Sequence, residues 1–214
     1  MIDKWFQKSR LNYIISKFVK RFLLGHISAN SLTILGLILG LLSALLIFLS
    51  AIVNLALELI FISAILMSAS FFIDILDGAM ARLEEPTIFG GILDIFCDRT
   101  VEVCIILAIV STNPIFLLWP GLFSLSAIIL CITIFLIVGG AIKEENLKEN
   151  QKLIYYSRGI MERTETFIFL ITITVFISWR LILLWIFACL VFITALQRLR
   201  HAYIIFYSKK MNDY

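Results

Sequence analysis

Residues 74–98 read DILDGAMARLEEPTIFGGILDIFCD and contain four aspartates in or beside apolar segments. Asp74 and Asp77 are three residues apart and Asp94 and Asp98 are four apart, so each pair lies on one face of a helix. An aspartate at the centre of a membrane helix costs roughly 2.5–3.5 kcal/mol, so four of them need compensation. Carboxylate oxygens are hard ligands that suit Mg²⁺ or Mn²⁺. The stretch predicts two helices joined by a short loop, with a site for two metal ions between them.

The rest of the chain is strongly apolar. It has 214 residues, of which 61% are hydrophobic and 15% are charged, whereas soluble domains average about 45–50% apolar and about 25% charged residues. Neither residues 22–57 nor residues 103–142 contain Asp, Glu, Lys or Arg, and each run exceeds the roughly 20 residues that a membrane-spanning helix needs. The composition predicts an all-α integral membrane protein that forms a single domain over residues 1–214.

Turn signals divide residues 30–204 into six predicted transmembrane helices. The turns are expected at Asn54, at Thr112-Asn113-Pro114 and at Trp179-Arg180. The predicted spans are 30–52, 55–76, 92–111, 115–139, 160–178 and 182–204. Before them, residues 3–23 interleave apolar and basic side chains, which predicts an amphipathic helix lying in the membrane interface.

The distribution of Lys and Arg predicts the orientation. With six spans, one side of the membrane carries every basic residue except Arg180. Because basic loops stay on the cytoplasmic side, both termini and the loops 77–91 and 140–159 are expected in the cytoplasm of a multi-pass cell-membrane protein. There is no nucleic-acid-binding motif, and the basic surplus is expected to face anionic lipid.

Small and basic residues accompany the aspartates. Gly78 and Ala81 follow Asp77 on the same segment and would let a ligand approach the backbone. Arg82 brings a guanidinium within reach of a phosphate group, and Gly90 would let the chain turn into the next helix. Carboxylates, small residues and one arginine favour a nucleotide-diphosphate site over an ion pathway.

This spacing resembles the signature of the membrane-integral CDP-alcohol phosphatidyltransferases. The signature is D-x-x-D-G-x-x-A-R, seven residues, then G-x-x-x-D-x-x-x-D, and residues 74–98 fill every fixed position. The six-span layout also resembles that family. Residues 27–33 are similar to the family's Pro-Asn-x-x-Thr segment before the first span, with Ala29 in place of the proline.

The resemblance implies a transferase that moves a phosphatidyl group from CDP-diacylglycerol or another CDP-alcohol to a small alcohol and releases CMP. It implies metal ligation by Asp74, Asp77 and Asp94, and it makes Asp98 the general base and a further metal ligand. It also implies a homodimer. The residues it assigns to CDP binding are Asp74, Asp77, Gly78, Ala81, Arg82 and Gly90.

The acceptor alcohol stays open between inositol phosphate, glycerol phosphate and serine. Lys143, Arg158 and Arg163 are candidates to bind an acceptor phosphate or carboxylate, although the positive-inside rule alone would also explain them. Arg99 follows the last motif aspartate, where phosphatidylglycerophosphate synthases typically carry Lys. Asp98-Arg99 and the Glu162-Arg163 start of the fifth span look more like the inositol-phosphate branch of the family.

Other interpretations of the acidic residues remain. Glu102 extends the Asp94-Asp98 stripe, and it either supports the site or pairs with Arg99 at helical spacing. The alternative for the whole protein is a cation transporter or channel, because intramembrane carboxylates are typical of that class too. Transporters usually show inverted repeats and midplane sites, whereas this sequence has no visible repeat and clusters its acids in one hairpin.

Overall fold

The computed structural model describes residues 10–53, 56–84, 87–149 and 159–212, and within them every regular element is helical. The helices are α1 (Arg10–Phe22), α2 (Ala29–Ser50), α3 (Ala56–Leu83), α4 (Ile88–Thr112), α5 (Pro114–Glu149), α6 (Arg163–Val175) and α7 (Arg180–Asn212). A 3₁₀ helix at Ile177–Trp179 joins α6 to α7. The all-α prediction is confirmed.

Four of these helices are long and apolar enough to cross a membrane. By length and composition the candidate spans in the described residues are α2, α3, Pro114–Ala141 of α5 and Ile177–Ile204. α4 is long, but its first half carries the ionisable residues of the acidic stripe. α6 has 13 residues and is therefore only about 20 Å long, less than a hydrocarbon core of roughly 30 Å.

α3 continues past the predicted end of its span. It reaches Leu83 rather than residue 76, so the small and basic residues of the motif are part of the helix. Asp74 and Gly78 therefore lie one helical turn apart on the same face. The structure breaks the helices at Asn113 and at Ile177–Trp179, where the sequence predicts turns, and Asn54 lies outside the described residues.

α1 packs against the motif end of α3. Val19 of α1 is fully buried, in a cluster with Leu32, Leu76, Ala79 and Met80. Ile14, Phe18 and Phe22 remain exposed on another face. Gly25, at φ 84°, makes the turn into α2, and residues 3–9 of the predicted amphipathic helix lie outside the described residues.

α2 packs closely against both acid-bearing helices, α3 and α4. The Ser70 hydroxyl donates to the Gly36 carbonyl at 2.7 Å, which joins α3 to α2. Gly40 of α2 faces Val101 of α4, and a Cβ on Gly40 would lie 2.5 Å from a Val101 methyl group. A small residue at position 40 therefore lets the backbones of α2 and α4 approach.

Arg180 joins the ends of three helices away from the aspartates. Its side chain is 4% exposed and donates to the carbonyls of Ile173 at 3.3 Å and Thr174 at 2.9 Å. A third bond, at 2.9 Å, reaches the Thr112 hydroxyl. The last carbonyls of a helix have no hydrogen-bond partner within it. Arg180 donates hydrogen bonds to two such carbonyls of α6 and connects the end of α6 to α4.

We expect Gly40→Ala to lower the free energy of unfolding by about 1–3 kcal/mol, because the added methyl group overlaps Val101 in a filled interface. The measurement is the thermal unfolding midpoint of the protein in detergent. Gly139→Ala is the matched control, since its Cβ would meet nothing within 4 Å. Equal midpoints for the two variants would contradict the close approach of α2 and α4.

Candidate active site

Three of the predicted aspartates converge. Asp74 on α3 and Asp94 and Asp98 on α4 each offer a carboxylate oxygen, and these three oxygens lie within 4.8 Å of one another. The side chains are 13%, 34% and 12% exposed, so the oxygens are partly shielded from water. Three hard oxygen donors at this separation fit Mg²⁺ or Mn²⁺.

Asp77 adjoins this group without belonging to it. It is 4% exposed and lines a small cavity together with Thr33, Asp74 and Asp98. Helical spacing predicts that Asp74 and Asp77 share one helix face, and the resemblance implies that both bind metal. In the structure Asp74 belongs to the convergent trio, while Asp77 lies deeper beside α2.

Arg163, the first residue of α6, reaches into the trio. Its Nη2 donates to Asp94 Oδ1 at 2.9 Å and to Asp98 Oδ1 at 2.6 Å, and it also contacts Asp74. Its Nη1 donates to Asp94 Oδ2 at 3.2 Å, so Asp94 is held by two bonds. The sequence interpretation assigned Arg163 to the acceptor and missed these contacts.

A crevice of about 230 Å³ opens on one side of the aspartates. Several of its lining residues are Gly or Ala, so the backbone is accessible to a ligand. A Cβ on Gly90 would lie 2.9 Å from Thr87 Oγ1 and 3.1 Å from Asn30 Oδ1. The motif residues that line the crevice are Asp77, Gly78, Ala81, Gly90 and Asp94. Arg82 is exposed at the end of α3 and is not among the described lining residues.

Thr87 fixes the start of α4 at this crevice. Its Oγ1 accepts a hydrogen bond from the Gly90 amide at 3.0 Å, which caps the helix. A threonine in this position satisfies one of the amides that the first turn leaves unpaired. The cap therefore orients the turn from which Asp94 projects.

A second cavity, of about 360 Å³, also borders the aspartates. Asp94 and Asp98 line one part of it, and its basic lining residues are Arg99, Arg163 and Arg198. Arg99 pairs with the fully buried Glu102, so of the two interpretations of Glu102 the structure contains the ion pair. This arginine-lined cavity thus combines two carboxylates of the trio with three guanidinium groups.

Arg198 was missed by the sequence analysis. Its Nη1 donates to the Cys131 carbonyl at 3.1 Å, and its guanidinium lies 5.1 Å from the centre of the Phe135 ring. The available signal was a basic residue inside the predicted span 182–204, because charges at membrane depth are usually functional. Arg158 lies outside the described residues, and Lys143 is in α5 but its side chain lies outside what the structure describes.

Comparisons with known proteins agree on one family. The sequence profile of the CDP-alcohol phosphatidyltransferases matches residues 26–196. The archaetidylinositol phosphate synthase of Methanothermobacter thermautotrophicus is 51% identical over 49 residues, which are 22% of this chain and 25% of that protein. The matched segment is thus a quarter of the length of that curated relative.

Two solved structures have a similar fold. One is the phosphatidylinositol phosphate synthase of Mycobacterium tuberculosis with CDP-DAG bound, with a TM-score of 0.67, 21% identity and coverage of 91% of this chain and 94% of that one. The other is the same synthase in complex with manganese and citrate, with a TM-score of 0.66, 21% identity and coverage of 90% and 88%.

We expect Mn²⁺ or Mg²⁺ to raise the thermal unfolding midpoint of the purified protein, because a ligand that binds only the folded state stabilises it by about 2.7 kcal/mol at 100 times its dissociation constant. Asp94→Asn should remove this increase, since Asp94 supplies one of the three convergent carboxylates. Glu58→Gln, at the opposite end of α3, is the control and should keep it. A metal-induced increase that survives in Asp94→Asn would contradict the site.

Proposed function

The chain belongs to the CDP-alcohol phosphatidyltransferase family, and on that premise we propose that it transfers a phosphatidyl-type group from a CDP-linked lipid, such as CDP-diacylglycerol, to inositol phosphate with release of CMP. The observation that carries the proposal is that Gly91 and Asp94 border both cavities. A group held in the crevice of small residues and a group held in the arginine-lined cavity would therefore meet at the trio of aspartates.

The crevice suits the nucleotide end of the donor. Gly78 and Ala81 leave the backbone accessible, and Asn30 lies beside Gly90 at the rim. The diphosphate would lie towards Asp77 and Asp94. Asp74, Asp94 and Asp98, with Asp77 beside them, would hold one or two divalent ions, which offset the charge of the diphosphate and of the departing CMP.

Asp98 is the proposed general base. It lines the arginine-lined cavity, so its carboxylate can take the proton of an acceptor hydroxyl held there. The acceptor oxygen attacks the phosphorus that bears the lipid alcohol. A phosphorus–oxygen bond forms, the bond from that phosphorus to the oxygen of the CMP phosphate breaks, and CMP leaves. No covalent intermediate on the protein is needed.

The basic lining favours an acceptor that carries a phosphate. Arginine binds phosphate through two parallel hydrogen bonds, and Arg198 is positioned by Cys131 and Phe135 to face the cavity. The similar proteins named above make inositol-containing phospholipid phosphates, which supports inositol phosphate over serine or glycerol phosphate for this chain.

We further propose that six helices, α2 to α7, lie within the membrane, with α1 in the cytoplasmic interface. Four of these are the candidate spans. The fifth and sixth would be α4, which carries no charged residue after Glu102, and α6 extended by the 3₁₀ helix. The excess of Lys and Arg at one end supports a cytoplasmic active site and cytoplasmic termini in the cell membrane. The family resemblance implies a homodimer, and the exposed apolar helix faces, which lipid would otherwise cover, leave room for one.

We expect purified protein in lipid nanodiscs to release CMP from CDP-diacylglycerol only with Mg²⁺ or Mn²⁺ and only with the correct acceptor. Inositol 1-phosphate, inositol, glycerol 3-phosphate and serine are compared by lipid mass spectrometry. Asp98→Asn should lower the rate about 10²–10⁴-fold, the usual contribution of a general base. Full activity of that variant, or metal-dependent ion flux without CMP release, would overturn the proposal.

Arg198→Gln should weaken the use of inositol 1-phosphate by about 10-fold to 100-fold, because a hydrogen bond to a charged group contributes about 1.5–3 kcal/mol. The loss should appear mainly in KM for that acceptor, with KM for CDP-diacylglycerol unchanged. Arg200→Gln, two residues further along α7, is the control. Equal losses in both variants would argue against a specific contact of Arg198 with the acceptor.

A further inference from the structure

We propose that Arg163 competes with the divalent metal for Asp74, Asp94 and Asp98, so that its guanidinium holds these carboxylates together in the metal-free protein and leaves them when metal binds. The proposal rests on the metal site of the proposed function and is independent of the acceptor. It gives Arg163 a role that neither the motif nor the arginine-lined cavity assigns.

The contacts of one nitrogen are the first observation. Nη2 of Arg163 contacts all three carboxylates, although a guanidinium nitrogen of this kind carries only two hydrogens. Two-centre hydrogen bonds can therefore account for two of the three contacts at most, and the attraction of opposite charges supports the rest. The three carboxylates are grouped around one positively charged group, as they would be around a metal ion.

The positions of the oxygens are the second observation. Oxygens bound to one Mg²⁺ at about 2.1 Å are at most about 4.2 Å apart. The three oxygens of the trio lie within 4.8 Å of one another, so only a small movement would bring them to binding distance of one ion. Nη2 lies 2.9 Å from Asp94 Oδ1 and 2.6 Å from Asp98 Oδ1, in the space that these carboxylates would enclose around an ion. The guanidinium and the ion therefore exclude each other.

The displaced side chain has space to occupy. Arg163 is 30% exposed and lines the arginine-lined cavity of about 360 Å³. A long flexible side chain can turn into this cavity without unfolding α6. The start of α6 is held separately, because the Met161 amide donates to Thr194 Oγ1 at 3.0 Å and the Thr166 amide donates to the Glu162 carbonyl at 3.0 Å.

Two opposite effects on the protein follow. Without a cation, carboxylates this close repel one another, so Arg163 stabilises the metal-free fold and keeps the ligands near their binding geometry. Because these contacts must be lost before metal binds, Arg163 also weakens the affinity for metal. Removing its charge should therefore destabilise the metal-free protein and strengthen metal binding.

The test is Mn²⁺ binding to the full chain in nanodiscs, followed by electron paramagnetic resonance without CDP-lipid or acceptor. We expect Arg163→Gln to bind Mn²⁺ about tenfold more tightly than the wild type, which corresponds to about 1.4 kcal/mol. In EDTA its thermal unfolding midpoint should be lower than that of the wild type, and Mn²⁺ should raise it by more. Unchanged or weaker Mn²⁺ binding would overturn the competition.

Arg198→Gln is the matched control, because it removes the same charge from the same cavity but its described contacts are to Cys131 and Phe135. An equal gain in Mn²⁺ affinity in this variant would mean a general charge effect and would overturn the proposal. If Arg163→Gln does not fold, Arg163→Lys serves instead. Lysine keeps the charge but loses the planar fork, so an affinity between wild type and tenfold is expected, and wild-type affinity would overturn the proposal.

The outcome is separable from that of the proposed function. Tighter Mn²⁺ binding by Arg163→Gln in a protein that releases no CMP would support the competition and overturn the transferase. CMP release by a wild type whose Mn²⁺ affinity equals that of Arg163→Gln would support the transferase and overturn the competition.

Discussion

Four carboxylates packed among apolar helices repel one another and lose hydration, so they remain together in the ionised form only if cations offset their charge. Insertion scales assign roughly 2.5–3.5 kcal/mol to each such charge, and the closest three are within 4.8 Å. Arg163 supplies one positive charge to the trio, which offsets only part of its negative charge, and a divalent ion in its place would offset more. The geometry of the active site is thus a consequence of how this charge is balanced.

Helix packing determines where that balance is made. α2 carries glycine and serine where it meets α3 and α4, and the bonds from Ser43 to the Ser63 carbonyl at 2.9 Å and from Ser70 to Gly36 fix its position. Because Gly40 allows close approach to Val101, the acid-bearing ends of α3 and α4 are held around α2. Uncharged residues at the helix interfaces therefore help to set the distances between the aspartates.

The two cavities give the aspartates their chemical context. The crevice is lined by small residues and offers backbone to a ligand, whereas the second cavity offers guanidinium groups. Both meet at Gly91 and Asp94. A transfer between two substrates requires such a shared boundary, whereas an ion pathway would need neither the accessible backbone nor the pairing of Arg99 with the buried Glu102.

Much of this could be predicted from the sequence, because local spacing and composition carry it. The aspartates at separations of three and four, the charge-free runs and the small residues predicted helices, a membrane environment and a metal-dependent nucleotide site. The separate position of Asp77, the short α6 and the end of α3 at Leu83 were not predicted, since they depend on how neighbouring helices terminate and pack.

The arginines show the limit most clearly. Arg163 is 65 to 89 residues from the aspartates that it contacts, and Arg198 is 67 residues from the Cys131 carbonyl. Periodicity describes which residues share a face of one helix but not which faces of distant helices meet. The sequence by itself determined the kind of chemistry, through residue types at helical spacing. Only the tertiary structure decided which cations face those carboxylates, because that depends on α6 and α7 packing against the ends of α3, α4 and α5.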